Sequence, residues 1–279
     1  MSSAQIFGES VQGASHKRSG KECQDSNRGF SLGQASILSV ADGHGSNSCP
    51  YSKTGSVIAV SAFCKIMRDY CKHYANDMET LLTFLNREGD TKVAQEIDQE
   101  WKRRVRKVHK DNKREQYVND KGEKDYAAIY ALYGSTLLGL LIAPSFLFAF
   151  QLGDGDMACI SDAGAEPIIV TEKILGTETH SLSKLDAWKK AITRTKRTVS
   201  DTPEPPHAFM LTTDGFANSY ASQEEYTKSA GEYFALIQKH GAEAVSSNLR
   251  QWLSETSEMG CGDDITALIA YFDGKEQPE

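Results

Sequence analysis

Four places in the chain set an aspartate beside glycine, at the end of a β-rich run or immediately before one. Asp42-Gly43-His44-Gly45 follows Ile37-Leu38-Ser39-Val40, and Asp214-Gly215 follows Phe209-Met210-Leu211-Thr212. Asp154 sits in Gly153-Asp154-Gly155-Asp156 after Phe148-Ala149-Phe150, and Asp263-Asp264 immediately precedes Ile265-Thr266-Ala267-Leu268-Ile269. Asp25 lies between a short strand and the next. Any single Asp-Gly is usually no more than a turn. A sheet that converges these ends collects several negative charges in one cleft, and like charges that close cannot stay ionised unless cations neutralise them. Hard oxygen ligands without a histidine cluster select Mg²⁺ or Mn²⁺ over zinc. Gly43 lets a backbone carbonyl come close to such an ion with no side chain in the way.

The elements that must position these residues are short β-rich runs and longer helices. Runs rich in β-branched and aromatic residues cover 5–11, 35–41, 136–143, 146–152, 157–161, 208–213 and 265–272, bounded by Gly, Asp, Asn or Pro. The Ala143-Pro144-Ser145 junction reads as a tight hairpin. Over 54–74, Ile58, Ala62, Ile66 and Tyr70 recur every four residues with Phe63 and Met67 beside them, which makes a broad apolar helical face. Ser222 and Glu225 form a capping-box pattern ahead of a helix running towards Gln238, and a third helix over 242–254 carries Val245, Leu249 and Leu253. Strands in clusters followed by long helices predict a layered α+β domain; a doubly wound sheet would alternate them regularly. The segment 86–125 differs, because residues 102–114 hold eight Lys or Arg against one Asp. It reads as a solvated helix or loop inserted between domain-building elements, with a docking arm for an acidic partner as the lesser alternative.

Composition bounds the function classes. The chain has 279 residues, 39% hydrophobic and 25% charged, with a formal net charge of −7. That length suffices for one sizeable core, and the negative balance argues against a nucleic-acid coat or a binder of anionic membranes. No apolar run approaches the roughly 20 residues of a spanning helix. The longest candidate, 136–152, contains Pro144 and Ser145 and splits into two strands. The N-terminus lacks the basic-then-apolar order of a signal peptide, so the expected setting is cytoplasmic. Six scattered cysteines without a CxxC pair read as packing thiols; a zinc site from Cys23, Cys49, Cys261 and His44 is the disfavoured alternative.

One ordered series carries a resemblance: Cys23-Gln24-Asp25-Ser26, Val40-Ala41-Asp42-Gly43-His44-Gly45, Gly134-Ser135-Thr136, Leu152-Gly153-Asp154-Gly155, Thr213-Asp214-Gly215-Phe216 and Gly262-Asp263-Asp264-Ile265-Thr266. It resembles the metal-dependent type 2C Ser/Thr protein phosphatases, their divergent bacterial members most of all, and it spans residues 5–272. The resemblance implies a single phosphatase domain over 1–279, within which the charge pattern marks a helical insertion at about 86–125. The implied fold is a four-layer α-β-β-α sandwich with two central antiparallel sheets. A binuclear Mn²⁺ or Mg²⁺ centre is implied at one edge of those sheets. Asp42 then bridges both ions, Gly43 offers its carbonyl to one, and Asp214 and Asp263 complete the other. Asp25 holds coordinated waters and Asp154 belongs to a third, weaker position. The implied reaction is dephosphorylation of phosphoserine and phosphothreonine in proteins, by in-line attack of an activated water on phosphorus. His44 protonates the departing oxygen as general acid, and no covalent phospho-enzyme forms. The implied partners are a phosphorylated protein substrate and a Ser/Thr kinase in signal transduction, without nucleic acid or membrane.

The chain departs from that pattern in four places. Gln24 stands where a glutamate commonly precedes the first aspartate, and Gly20 stands where a phosphate-clamping arginine usually lies. Arg18 is then the candidate phosphate contact, with Lys17 and His16 as alternatives. Asn218 occupies the place of a third-metal aspartate in some members, and Asp264 replaces a frequent asparagine. Two other functions compete: a catalytically weak relative serving as a phospho-dependent binding module, and a Mg²⁺/Mn²⁺ hydrolase of small phosphate esters. The absence of a nucleotide-cradling GxxxxGK[ST] loop ranks the last lowest.

Overall fold

The computed structural model describes residues 4–170, 179–197 and 207–272. The chain opens with β1 (Gln5–Val11), α1 (Ala14–Ser19), β2 (Ser26–Leu32) and β3 (Ala35–Ala41). Helices α2 (Ser52–His73) and α3 (Met78–Glu88) follow; a π turn at Gly89–Val93 leads into α4 (Ala94–Asp111), and then comes α5 (Tyr126–Ala131). Strands β4 (Leu137–Ile142), β5 (Phe146–Leu152), β6 (Asp156–Ser161), β7 (Gly164–Pro167), β8 (Ile192–Arg197) and β9 (Ala208–Thr212) come next. The described chain closes with α6 (Asp214–Ala217), α7 (Gln223–His240), α8 (Ala242–Met259) and β10 (Ile265–Tyr271).

Two five-stranded antiparallel sheets result, in the orders β1-β10-β9-β6-β7 and β2-β3-β4-β5-β8. Their facing surfaces interlock through Leu38, Val40, Leu138, Leu140, Leu211 and Leu268. Alternate residues of the same strands point outwards. Ile37, Phe148 and Phe150 meet α2 and α4, while Met210 and Ile269 meet α7 and α8. Strands covered on both faces read as continuous apolar runs, which is why β3, β4, β5 and β9 stand out in the sequence. The result is a four-layer α-β-β-α sandwich, as the sequence led us to expect. Among the described residues no helix is long and apolar enough to cross a membrane.

Three strands are absent from the sequence reading: β2, β7 and β8. Each lies at a sheet edge, where one side of the ladder is open and polar residues are tolerated. β2 begins Ser-Asn-Arg-Gly, and β7 ends at Pro167, a residue confined to edges because it cannot donate to a ladder.

The charged segment is more than a solvated helix. Val93, Ile97, Trp101 and Val105, spaced by four, are all fully buried and belong to the same core as α2 and β5. Trp101 Nε1 donates to the Gly55 carbonyl at 3.0 Å, tying α4 to α2. Four of the eight basic residues over 102–114 pair within the helix: Lys102 with Asp98, Arg103 and Arg104 with Glu100, Lys107 with Asp111.

Candidate active site

Asp42 is delivered by the end of β3, and its backbone is locked on the strand that follows Tyr133. Thr136 N–H donates to the Asp42 carbonyl at 2.9 Å, and Asp42 N–H donates to Thr136 Oγ1 at 2.9 Å. Gly43 pairs with Ser135 across an isolated bridge. A Cβ at Gly43 would lie 2.7 Å from the Ser52 carbonyl oxygen and 2.9 Å from that of Gln24, so no larger residue fits between these two backbones. His44 N–H donates to the Gly134 carbonyl at 3.2 Å. Its ring lies over Gly134, where a Cβ would come within 2.5 Å of Cδ2. The imidazole also borders a cleft of about 320 Å³ shared with Ser46, Ser48, Cys49, Thr179 and Ser181.

Around Asp42 stand the other predicted carboxylates. Asp25, just ahead of β2, is fully buried and accepts from Thr213 Oγ1 at 2.6 Å on Oδ2. No donor reaches its Oδ1 in hydrogen-bonding geometry, although the Asp42 carboxyl lies close enough to compete for a proton with it. Burial raises the Asp42 carboxyl well above the usual range, and the charges of Asp25, Asp214 and Asp263 raise it further. Asp25 moves in the same direction, chiefly through burial. Asp214, at the start of α6, is pushed from 3.8 to about 7 by burial first and then by Asp154, Asp263 and Asp25. Asp154 occupies the turn between β5 and β6, where Thr179 Oγ1 donates to its Oδ2 at 2.9 Å. Asp263 accepts from the Asp264 N–H at 2.8 Å.

All five predicted metal-site carboxylates therefore interact, and among the described residues no lysine or arginine forms an ion pair with any of them. Among the described residues, too, no three acidic, thiol or imidazole side chains already close around one point as a ligand shell. The arrangement is a ring of facing oxygens with gaps. Carboxylates without a cationic partner, one of them fully buried with an orphan oxygen, fit a hard divalent cation that keeps several of its own waters. The thiols do not compete for it: no disulfide joins the six cysteines, and burial, then Asp25 and Asp264, pushes Cys23 up to about 12.

With that geometry in hand, comparison with known proteins decides the family. The sequence profile described as protein phosphatase 2C matches residues 12–254. This chain belongs to the protein phosphatase 2C family. The family match ends before Asp263 and Asp264, which the fold carries back to Asp42 through β10. A search of curated proteins by sequence finds no match. Among solved structures, the Mycobacterium tuberculosis serine/threonine phosphatase PstP/Ppp superposes with a TM-score of 0.59 at 12% identity, covering 97% of this chain and 99% of that one. Stp1 from Staphylococcus aureus gives 0.58 at 14% identity, covering 98% and 96%. The PstP catalytic domain solved with 2 manganese ions gives 0.55 at 13% identity, covering 97% and 99%. At such identities the likeness is one of fold.

The phosphatase 2C fold leaves the predicted phosphate contacts in different places. Arg18 is exposed on α1, and nothing joins it to the carboxylates among the described residues. Lys17 points away to Glu258 at 3.3 Å. Of the three, His16 is the one tied to the site, through Asp264 Oδ1 at 2.9 Å. Asp264 is itself a junction: it also accepts from Gly13 N–H at 2.7 Å and Gln24 N–H at 2.6 Å. Gln24 Oε1 is buried without a partner against Gly45. Lys21, which sequence reasoning passed over, donates from Nζ to the Gly45 carbonyl at 2.9 Å beside His44. Its only sequence signal is its place next to Gly20, whose left-handed φ of 70° ends α1 and turns the chain back to the loop.

Proposed function

We propose that this chain is a Mn²⁺- or Mg²⁺-dependent phosphoserine/phosphothreonine protein phosphatase, acting on phosphoproteins in the cytoplasm opposite a Ser/Thr kinase. The observation that supports it most strongly is the mutually repelling carboxylate cluster, running from fully buried Asp25 through half-buried Asp42, Asp154 and Asp214 to exposed Asp263, which no lysine or arginine among the described residues balances by an ion pair. When bound, two divalent ions, and a third at Asp154, neutralise phosphoryl oxygens and lower the pKa of a coordinated water. Asp42 and the Gly43 carbonyl would hold the ions together with Asp214 and Asp263, and Asp25 would orient their waters. His44 gives its proton to the seryl or threonyl oxygen as the bond from phosphorus to that oxygen breaks. Its neighbour Lys21 supplies positive charge near the entering phosphate, the tethered His16 offers its ring nitrogens there, and Arg18 stands at the outer rim. Gln24 motivates a second reading, because it removes one negative charge from the metal surroundings: a phospho-dependent binding module with weak turnover.

Substrate class and acid role are tested together. Turnover of a phosphothreonine peptide, p-nitrophenyl phosphate and a nucleoside triphosphate is compared in the unmodified protein and in His44→Ala. The proposal expects peptide and aryl ester to be hydrolysed and the nucleotide spared, with His44→Ala slowing the peptide far more than the aryl ester, whose leaving group needs no proton. Nucleotide hydrolysis in preference to the peptide would replace it with the small-ester reading. Peptide binding without turnover would favour the module.

A further inference from the structure

The end of α4 and the turn after it carry two polar side chains, His109 and Arg114, for which the proposed reaction has no use, and both meet Tyr133 just beyond α5. His109 is buried, with Nδ1 3.1 Å from Tyr133 Oη and Nε2 2.7 Å from the Glu115 carbonyl. A carbonyl only accepts, so Nε2 carries the proton and Nδ1 accepts from the Tyr133 hydroxyl. The Arg114 guanidinium donates to that same hydroxyl. It also lies over the Tyr51 ring, 3.4 Å from its centroid, and the rings of Tyr51 and Tyr133 are 5.2 Å apart. The chain of donors and acceptors is thus satisfied in a buried place, which fixes the geometry of each member.

Tyr51 and Tyr133 are the two anchor points of the loop that bears His44. Tyr51 N–H donates to the Leu132 carbonyl at 2.9 Å, closing the loop's far end. Tyr133 is followed by Gly134 and Ser135, which hold His44 and Gly43 by backbone pairing. Gly55 reinforces the same contact, since a Cβ there would meet the Tyr133 carbonyl oxygen at 1.9 Å. One guanidinium therefore stacks on one anchor and hydrogen-bonds the other. A lysine could not do both, because it offers a point charge without a planar face.

We propose that Arg114, Tyr133 and His109 are positioning residues for His44, and that the charged segment is the strut that sets where this imidazole stands. The inference rests on the phosphatase reading for its kinetic consequence, though not for the strut itself. Tyr133→Phe keeps the ring and removes the hydroxyl that gathers Arg114 and His109; Arg114→Lys removes the stacking plane and keeps the charge. Each is assayed with Mn²⁺ on a phosphothreonine peptide and on p-nitrophenyl phosphate, alone and combined with His44→Ala. Amide hydrogen exchange over 44–51 is measured in parallel.

The strut predicts a fall in kcat for the peptide of about 10- to 100-fold, the usual effect of a displaced catalytic group. It predicts a KM and an aryl-ester rate unchanged to within about twofold. No further loss should appear on top of His44→Ala, and exchange over 44–51 should be faster. An equal loss on both substrates, an additive loss on His44→Ala, or native protection over 44–51 would overturn the proposal. If the unmodified protein turns over neither substrate, the phosphatase reading falls, and the exchange comparison alone still decides the strut.

Discussion

Replacing Asp214 by asparagine should stabilise the metal-free protein and remove its response to metal. In the folded state, burial and the charges of Asp154, Asp263 and Asp25 raise the Asp214 carboxyl from 3.8 to about 7. The folded chain thus holds this proton more tightly than the unfolded one. Its contribution to stability is full below about pH 4, falls as pH rises towards 7, and is level above. A shift of that size corresponds to roughly 4 kcal/mol against the ionised form at pH 8. The asparagine side chain would carry no charge and keep the shape, so relief of roughly 2–4 kcal/mol is expected, or about 5–10 °C in melting temperature for a chain of this size. Thermal unfolding in EDTA at pH 8 should therefore place Asp214→Asn above the unmodified protein, with the gap closing by pH 4. In Mn²⁺ at about a thousand times its Kd the order should reverse, because binding then stabilises by about 4.1 kcal/mol only the protein that binds the ion, which exceeds the relief. A variant that melts lower than the unmodified protein in EDTA at pH 8, or a gap that does not change with pH, would refute the picture of an unbalanced carboxylate ring.

Three further outcomes follow from named contacts. In Gly134→Ala the new methyl would start 2.5 Å from His44 Cδ2, so the ring must move by about 1 Å; kcat on a phosphothreonine peptide should drop by about 100-fold. Native rates would show that His44 is not held there. Asp264→Ala strips the acceptor from the Gly13 and Gln24 N–H groups and from His16, and urea unfolding should show a loss of roughly 2–4 kcal/mol. Trp101→Ala empties a fully buried site and deletes the bond to Gly55, which should cost roughly 3–5 kcal/mol in the same assay; a loss below about 1 kcal/mol would mean that α4 is not part of the core.

What could be read in advance divides along physical lines. Strands β3, β4, β5 and β9 are buried on both faces, so their sequences are unbroken apolar runs with little room for another reading. The aspartates after β3, β5 and β9 were visible for the same reason, since each of those runs stops abruptly at an Asp beside Gly. Edge strands left no such mark: β8 reads Ile-Thr-Arg-Thr-Lys-Arg and is half solvated. The apolar stripe of Val93, at the end of the π turn, and Ile97, Trp101 and Val105 of α4 was present in the pattern, yet the surrounding charges obscured its period of four. Phosphate contacts were the least legible. Whether Arg18, Lys17, His16 or Lys21 reaches inwards depends on the left-handed turn at Gly20 and on Asp264, far away in sequence, tying down His16.

The central claim is that facing carboxylates around Asp42 hold divalent ions that the reaction requires. Hydrolysis of a phosphothreonine peptide by the unmodified protein and by Asp42→Asn, each in Mn²⁺ and in EDTA, tests it most directly. Turnover is expected in Mn²⁺, with none in EDTA and none in the folded variant under either condition. Turnover that persists in EDTA, or that survives Asp42→Asn, would contradict it.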